Sequence, residues 1–323
     1  MNKENLNQLI NEYEDNIDMI YGNTHDELFK WRAMKVWRDE WFKPGEVFSS
    51  FAERFNAARK EFSLFMDNSR MHPSTGVIKL WGKEPETVEH LFYDVLFADA
   101  HGDVSAAQNN MDRFLEEYEN LRCKYFPSNW SFKQDRHSAS VFLAMNNPDF
   151  NYVYKSSEAL TMAKYLDFGF SIGSGIGFSL PNYYRLCEEI VSALREHDSL
   201  LEKHFSRLTP EYYNDQSLHL LAFDLMYCCR TYNFYNVVTL PAAVKAERKR
   251  VVAESLSPEE AKRLAKIAEI EQEINKLECD CDNCSEISLI GVQVTAKLYG
   301  TGTVIAQDRN TIKVRFDGAE KVY

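Results

Sequence analysis

Ile290-Gly291-Val292-Gln293-Val294-Thr295-Ala296-Lys297-Leu298-Tyr299-Gly300-Thr301-Gly302-Thr303-Val304-Ile305 leads to a turn at Asp308-Arg309-Asn310 and then to Ile312-Lys313-Val314-Arg315-Phe316-Asp317-Gly318. Apolar and polar positions alternate, β-branched residues dominate, and glycines stand at the corners. That pattern describes short, strongly bent strands of a small barrel and not a helix. Val294, Val304, Ile312, Val314 and Phe316 are the expected interior. Lys313 and Arg315, which alternate with them, belong on the solvent face.

The spacing is more specific than the alternation. Gly291, Val294, Gly300, Gly302, Val304, Val314 and Phe316 reproduce G-x-x-V, G-x-G-x-V and V-x-F. The segment resembles the Tudor-like (SH3-like) barrel at the C-terminus of UvrD/PcrA helicases; Ala296 replaces the usual His and Tyr299 the usual Phe. The resemblance implies a docking module, with Lys297, Tyr299, Lys313 and Arg315 as the partner-binding residues and a protein as the partner.

Upstream, the apolar spacing changes from two to three and four. Helices are expected over residues 3–21, 24–42, 47–66, 85–100, 104–124, 138–146, 157–166, 181–205 and 215–232. Pro148 to Lys155, extended and aromatic, is the best strand candidate in this part. The fold class is therefore mainly α: a helical domain over 1–240, a helical arm with a Cys-rich linker over 241–286, and a β-barrel over 287–323.

The helical part has a resemblance of its own. Its carriers are Lys30-Trp31 with Lys35, Glu84-Pro85 through Leu96-Phe97, His137-Ser138 through Tyr154-Lys155, Tyr183 through Ile190, Arg207-Leu208-Thr209, and His219 through Cys228. Collinear over about residues 25–230, the series resembles the helical region upstream of the AAA+ motor in McrB-like restriction proteins. No G-x-x-x-x-G-K-[ST] phosphate loop occurs in the chain, so the nucleotide-hydrolysing motor of that family is not part of it.

Charge narrows the function classes. The chain carries 37 Lys and Arg against 49 Asp and Glu, a formal net charge of -12. Residues 1–240 alone hold 24 bases against 35 acids, about -11. Such a body cannot release counterions along a broad phosphate face, so weak binding of duplex DNA is expected and any nucleic-acid contact is local; tight binding would point to a basic surface around Lys30, Arg32, Lys35 and Arg38. The N-terminus has no continuous apolar stretch and no run reaches the roughly 20 apolar residues of a membrane span; a cytoplasmic protein is expected.

Several constellations imitate chemistry. Gly173-Ser174-Gly175-Ile176-Gly177 lacks the spacing of a dinucleotide fingerprint and reads as a loop. Pro148-Asp149 with Lys155 suggests a nuclease site, but Val153 stands where a metal-binding acid is required. His137, His197, Asp198 and Asp224 follow the order of a metal phosphohydrolase, and an enzyme built on them is the alternative to a binding protein. For His219 and Asp224 a capping or core hydrogen bond is the preferred role. Cys279, Cys281 and Cys284 offer three thiols in six residues, one ligand short of a closed zinc site. Ile267, Ile270, Ile274 and Leu277 lie at a/d spacing, so the arm either packs or self-associates into a homo-oligomer. No catalytic residue and no cofactor is assigned. The expected function is a non-enzymatic adaptor associated with nucleic-acid transactions; the alternatives are a metal-dependent nuclease or phosphohydrolase and a structural oligomerisation protein.

Overall fold

The computed structural model describes residues 1–44, 50–100, 102–240, 266, 289–296, 299–307, 312–316 and 319–322. Among the described residues twelve α-helices precede a small sheet: α1 Lys3–Asp15, α2 Ile17–Ile20, α3 Phe29–Trp41, α4 Phe51–Met66, α5 Pro73–Trp81, α6 Pro85–His90, α7 Val104–Tyr125, α8 Arg136–Asn146, α9 Ser156–Tyr165, α10 Leu180–Leu194, α11 Asp198–Arg207 and α12 His219–Thr231. Contacts divide the chain into two compact units, Met1–Glu247 and Arg248–Tyr323. Among the described residues no helix is long and apolar enough to cross a membrane.

Local chemistry explains the helix starts. Asn2, Ser50, Asp103 and Ser179 each accept a first-turn N–H with a side-chain oxygen. Asp135 and Ser138 form a reciprocal capping box on α8. Pro73 and Pro85 sit in the first turns of α5 and α6, where no intrahelical donor is lost.

Several helices depart from the expected pattern; the span 3–21, for one, is broken at Asn16 into α1 and α2. Residues 73–81, which none of the expected helices covers, form α5, and Gly76 inside it lets Phe132 and Tyr118 approach its backbone. The span 181–205 is two helices, broken after Leu194. After α6 the chain widens into a short π-helix, Leu91–Leu96, so that the helix expected to reach residue 100 ends at Leu96, and Phe97 donates its N–H back to the Phe92 carbonyl.

The segment 148–155 is not a strand. A turn covers residues 148–150, and 151–155 run extended with Tyr152, Val153 and Tyr154 buried. Its backbone is satisfied by side chains instead of a neighbouring strand: Tyr154 N–H donates to Ser140 Oγ at 2.8 Å, and Tyr183 donates to the Val153 carbonyl. A buried backbone must find partners, and these side chains supply them.

Aromatic rings fill the centre of the helical unit. Trp37 stacks on Trp41 at 4.8 Å, while Phe62 meets Trp37 edge-on at 4.9 Å. Phe92 joins them through Phe142 at 5.0 Å. Edge-to-face pairs of this kind add about 0.5–1.5 kcal/mol each to the burial of the rings.

The second unit holds an antiparallel sheet of β1 Gln293–Ala296, β2 Gly300–Gln307, β3 Ile312–Phe316 and β4 Ala319–Val322, in the order β1-β2-β3-β4. Val304, Val314 and Phe316 are buried, with Val294, Ala296 and Ile312 packed against them, which matches the expected interior. A bulge between Val304 and Ala306 bends β2.

The two corner glycines have different tasks. Gly300 has φ +71°, whereas a Cβ on Gly302 would lie 2.6 Å from the Phe316 ring, which packs across that position. Gly300→Val should cost about 1–3 kcal/mol through backbone strain, and Gly302→Val should expel Phe316 from its seat. A ¹H–¹⁵N spectrum of either variant should lose the dispersed amides of residues 289–322 and keep those of 1–240. Loss of the helical amides as well would show that the two units do not fold independently.

Candidate functional site

The sheet separates the expected docking residues into two groups. Arg315 pairs with Glu320 across β3 and β4, while Val314 pairs with Lys321. Directly opposed residues share a face, so Lys313, Arg315 and Glu320 lie on one side, and Lys321 lies on the side of Val314 and Phe316. Tyr299, 45% exposed, belongs with the second group. Its ring is 5.6 Å from that of Phe316, and Lys321 Nζ sits 5.2 Å from its centroid. Lys297 lies outside the described residues.

Lys313 and Arg315 are exposed, as alternation predicts, but they are not free charges. Lys313 Nζ is 2.6 Å from Glu320, and Arg315 reaches the same carboxylate at 2.9 Å. The two cations hold Glu320 below the usual carboxylate range, Lys313 most strongly. The three groups together present one net positive charge, which solvent screens. Tyr299 with Lys321 is the contrasting arrangement: an exposed aromatic face carrying a cation that no carboxylate neutralises among the described residues.

In the helical unit, the residues that imitated an active site are dispersed, and several are committed to structure. His137 contacts two carbonyls, Tyr154 at 2.7 Å through Nδ1 and Phe65 at 3.0 Å through Nε2, and so ties α8 to the end of α4. His197 occupies the N-cap position of α11 without a side-chain cap hydrogen bond, and Asp198, exposed, opens the helix. Lys155 pairs with Glu158 at 3.2 Å. His219 stacks on Tyr152 at 3.9 Å, and its buried Nδ1 has no hydrogen-bond partner among the described residues, so its place in the core rests on ring packing where a hydrogen bond was expected. Among the described residues, no three His, Cys, Asp or Glu side chains are grouped so as to hold a metal ion. Cys279, Cys281 and Cys284, and the arm with Ile267 to Leu277, lie outside the described residues.

The basic residues of α3 do not form a free cationic surface. Lys30 is buried. Arg32 pairs with Asp26 and Glu61, Lys35 holds Asp39, and Arg38 donates to the Asn146 carbonyl at 3.0 Å and covers the Phe42 ring.

Lys30 is instead the centre of a buried ionic cluster. Its ammonium contacts both Asp224 and Glu27, and Tyr227 lies 4.1 Å from it through the ring. Burial alone would push the ammonium down. Asp224, Cys228 and Glu27 outweigh it and hold Lys30 above its usual value, so it stays charged. Asp224 is pushed up, first by burial and then by the repulsion of Glu27, against the pull of Lys30. Two carboxylates around one cation leave one negative charge in excess, and this is relieved by Tyr13 donating to Asp224 at 2.6 Å and Tyr232 donating to Glu27.

The bonds continue inward in one direction. Tyr13 gives its proton to Asp224, so at 3.0 Å it must accept from Tyr21. Tyr21 must then accept from His204 Nδ1 at 2.7 Å. The tautomer of His204 follows, with the proton on Nδ1 and a bare, buried Nε2 that has no protein partner. Desolvation pushes this imidazole down to about 3. Asp215 is likewise buried, and burial pushes it up to about 6 although it accepts the N–H groups of Leu220 and Leu221 at 3.0 Å each and caps α12.

Sequence reading missed this network because Lys30 and Asp224 stand 194 positions apart. Compared with family models, with curated proteins and with solved structures, the chain matches none.

The His204 assignment has a direct readout. Below its unfolded value near 6.5 the unfolded imidazole binds a proton that the folded one refuses, so this group withdraws stability as pH falls from about 6.5 toward 3, by about 1.4 kcal/mol per unit. ¹⁵N NMR of the imidazoles should find His204 neutral, protonated at Nδ1, and unchanged between pH 8 and 5. A midpoint near 6.5, or a proton on Nε2, would contradict the network.

Proposed function

We propose that the chain is a non-catalytic binding or adaptor protein associated with nucleic-acid transactions, and that its C-terminal sheet docks a protein partner. One observation carries the reading. In a unit whose buried core, among the described residues, is Val304, Val314 and Phe316, the apolar side chains of Ile290, Val292 and Tyr299 remain at the surface. A small unit that leaves such groups exposed has apolar surface to offer a partner.

The Tyr299 and Lys321 side is the docking face. An exposed ring with a cation above it suits an acidic or aromatic side chain from the partner, since both the cation and the ring edge are open to contact. Lys313 and Arg315, bound to Glu320, contribute orientation and encounter rate more than affinity. The resemblance of the segment to a helicase docking barrel supports a protein as partner, and the resemblance of the helical part to restriction proteins supports a setting in bacterial or phage defence. The commitment of His137 and Asp224 to structural contacts supports a binding role over a phosphohydrolase.

The test uses the full chain as bait in its native extract, followed by rebinding of the purified partner. Tyr299→Ala with Lys321→Ala should weaken rebinding at least tenfold, the scale of a lost aromatic anchor at about 1.4 kcal/mol or more. Lys313→Gln with Arg315→Gln should leave affinity within about threefold and flatten its salt dependence. A folded Tyr299/Lys321 variant that binds as well as the parent would overturn the docking-face assignment.

A further inference from the structure

The helical unit is acidic as a whole, yet one part of it is basic. Residues 68–84 and 119–133 hold six Lys and Arg against two Asp and Glu, a net charge of +4. The fold joins these two stretches. His72 donates its N–H to the Ser131 carbonyl at 2.7 Å, Gln134 donates to the Pro73 carbonyl at 2.9 Å, and Gly76 lies against Phe132. Beyond the other end of α5, Glu84 accepts from Lys124 and Tyr125 of α7.

The acids of this surface are occupied, and several of its cations are not. Glu84 is held by Lys124, and Glu119 by Arg122 at 2.8 Å. At the margin, Asp67 accepts from Ser74 and Thr75, Glu89 accepts from the Trp81 indole, and Asp135 caps α8. Glu86, exposed in the first turn of α6, bounds the surface on that side. Arg70, Lys79 and Lys83 are exposed and have no carboxylate within ion-pair distance among the described residues. Lys79 is three residues from Gly76, which puts it on the flank of α5 next to Phe132. Here too stands Trp130, 58% exposed, with Tyr125, Phe126 and Phe132 half-buried near it in the chain. Of the five tryptophans, Trp31, Trp37 and Trp41 are buried and Trp81 is half-buried, so Trp130 alone presents its indole to solvent.

We propose that this surface binds single-stranded nucleic acid, with Arg70, Lys79 and Lys83 on the phosphates and Trp130 stacked on a base. Free cations that follow a backbone, beside an aromatic face open to a base, are the two elements that sequence-tolerant single-strand binding requires. α5, nine residues and roughly 14 Å long, separates Arg70 from Lys83, room for about four phosphates of one strand. The acidic remainder of the unit selects against a duplex, whose second row of phosphates falls outside the basic strip. An acidic peptide supplies the charge but no flat ring for Trp130. The proposal carries the association with nucleic-acid transactions to direct contact and does not draw on the sheet, whose partner is absent from the titrations that test it.

Anisotropy titrations of the full chain use a labelled oligothymidylate of about 12 nucleotides, its duplex with oligoadenylate, and polyglutamate and inorganic polyphosphate as competitors. The single strand should bind with a Kd below about 50 μM at about 50 mM salt, and the duplex about tenfold or more weaker. Log affinity should fall against log salt with a slope of about -2, the release expected for three unpaired cations on a single strand. Trp130→Ala should weaken binding about fivefold or more at unchanged slope, and Trp130→Phe should recover most of the loss. Lys79→Gln with Lys83→Gln should flatten the slope to about -0.7. All three positions are exposed, and where one variant fails to fold the other decides. No saturable binding at about 200 μM, a duplex bound as tightly as the strand, displacement by either competitor at equal charge, or unaltered binding by either folded variant would each overturn the assignment.

Discussion

Lys30 is shut inside the helical unit with its charge intact, and much of the unit's geometry follows from having to satisfy it. An ammonium removed from water needs carboxylates at contact distance, so α3, which carries Lys30, is fixed against α12, which carries Asp224, and against Glu27 just ahead of α3. Asp224 in turn is anchored to Tyr13 on α1, and through Tyr21 to His204 on α11. Removing any member leaves a buried polar group without its partner, which costs more than the lost bond itself. The cluster therefore specifies one arrangement of four helices, whereas the surrounding aromatic packing favours close contact without selecting a single register.

The same commitment bears on function. Lys30, Asp224, His204 and His137 are the residue types from which a catalytic site is built, yet each is held by protein partners. The side chains with capacity to spare are elsewhere: Tyr299 and Lys321 on the sheet, and Trp130 with Arg70, Lys79 and Lys83 around α5. A binding protein with a rigid helical scaffold accommodates both observations.

Much of the architecture was legible in the chain because it rests on local rules. Apolar residues at three- and four-residue spacing marked most of the helices, and alternation from Val294 to Phe316 marked the strands and their interior. What the sequence hid depends on distant partners. Gly76 looks like a helix breaker until Phe132 and Tyr118 are seen against it. The segment 148–155 has the composition of a strand, but Ser140 and Tyr183 take its backbone bonds and leave no need for a neighbouring strand. Lys30, on the same helix as Arg32, Lys35 and Arg38, read as part of a basic group because nothing local announces Asp224. Alternation placed Lys313 and Arg315 correctly in solvent, but the register with β4 was needed to show that Glu320 neutralises part of their charge and that Tyr299 belongs to the other group.

A double-mutant cycle across Lys30 and Asp224 tests the organising role of the cluster most directly. Lys30→Met, Asp224→Leu and the double variant are compared with the parent by urea unfolding. Each single change should lose about 3–5 kcal/mol, and the double variant should lose less than the sum by about 2 kcal/mol or more, because it removes the uncompensated charge that each single variant leaves behind. Losses that add within about 0.5 kcal/mol would mean that the two groups do not depend on each other, and that the aromatic core alone holds the helices in place.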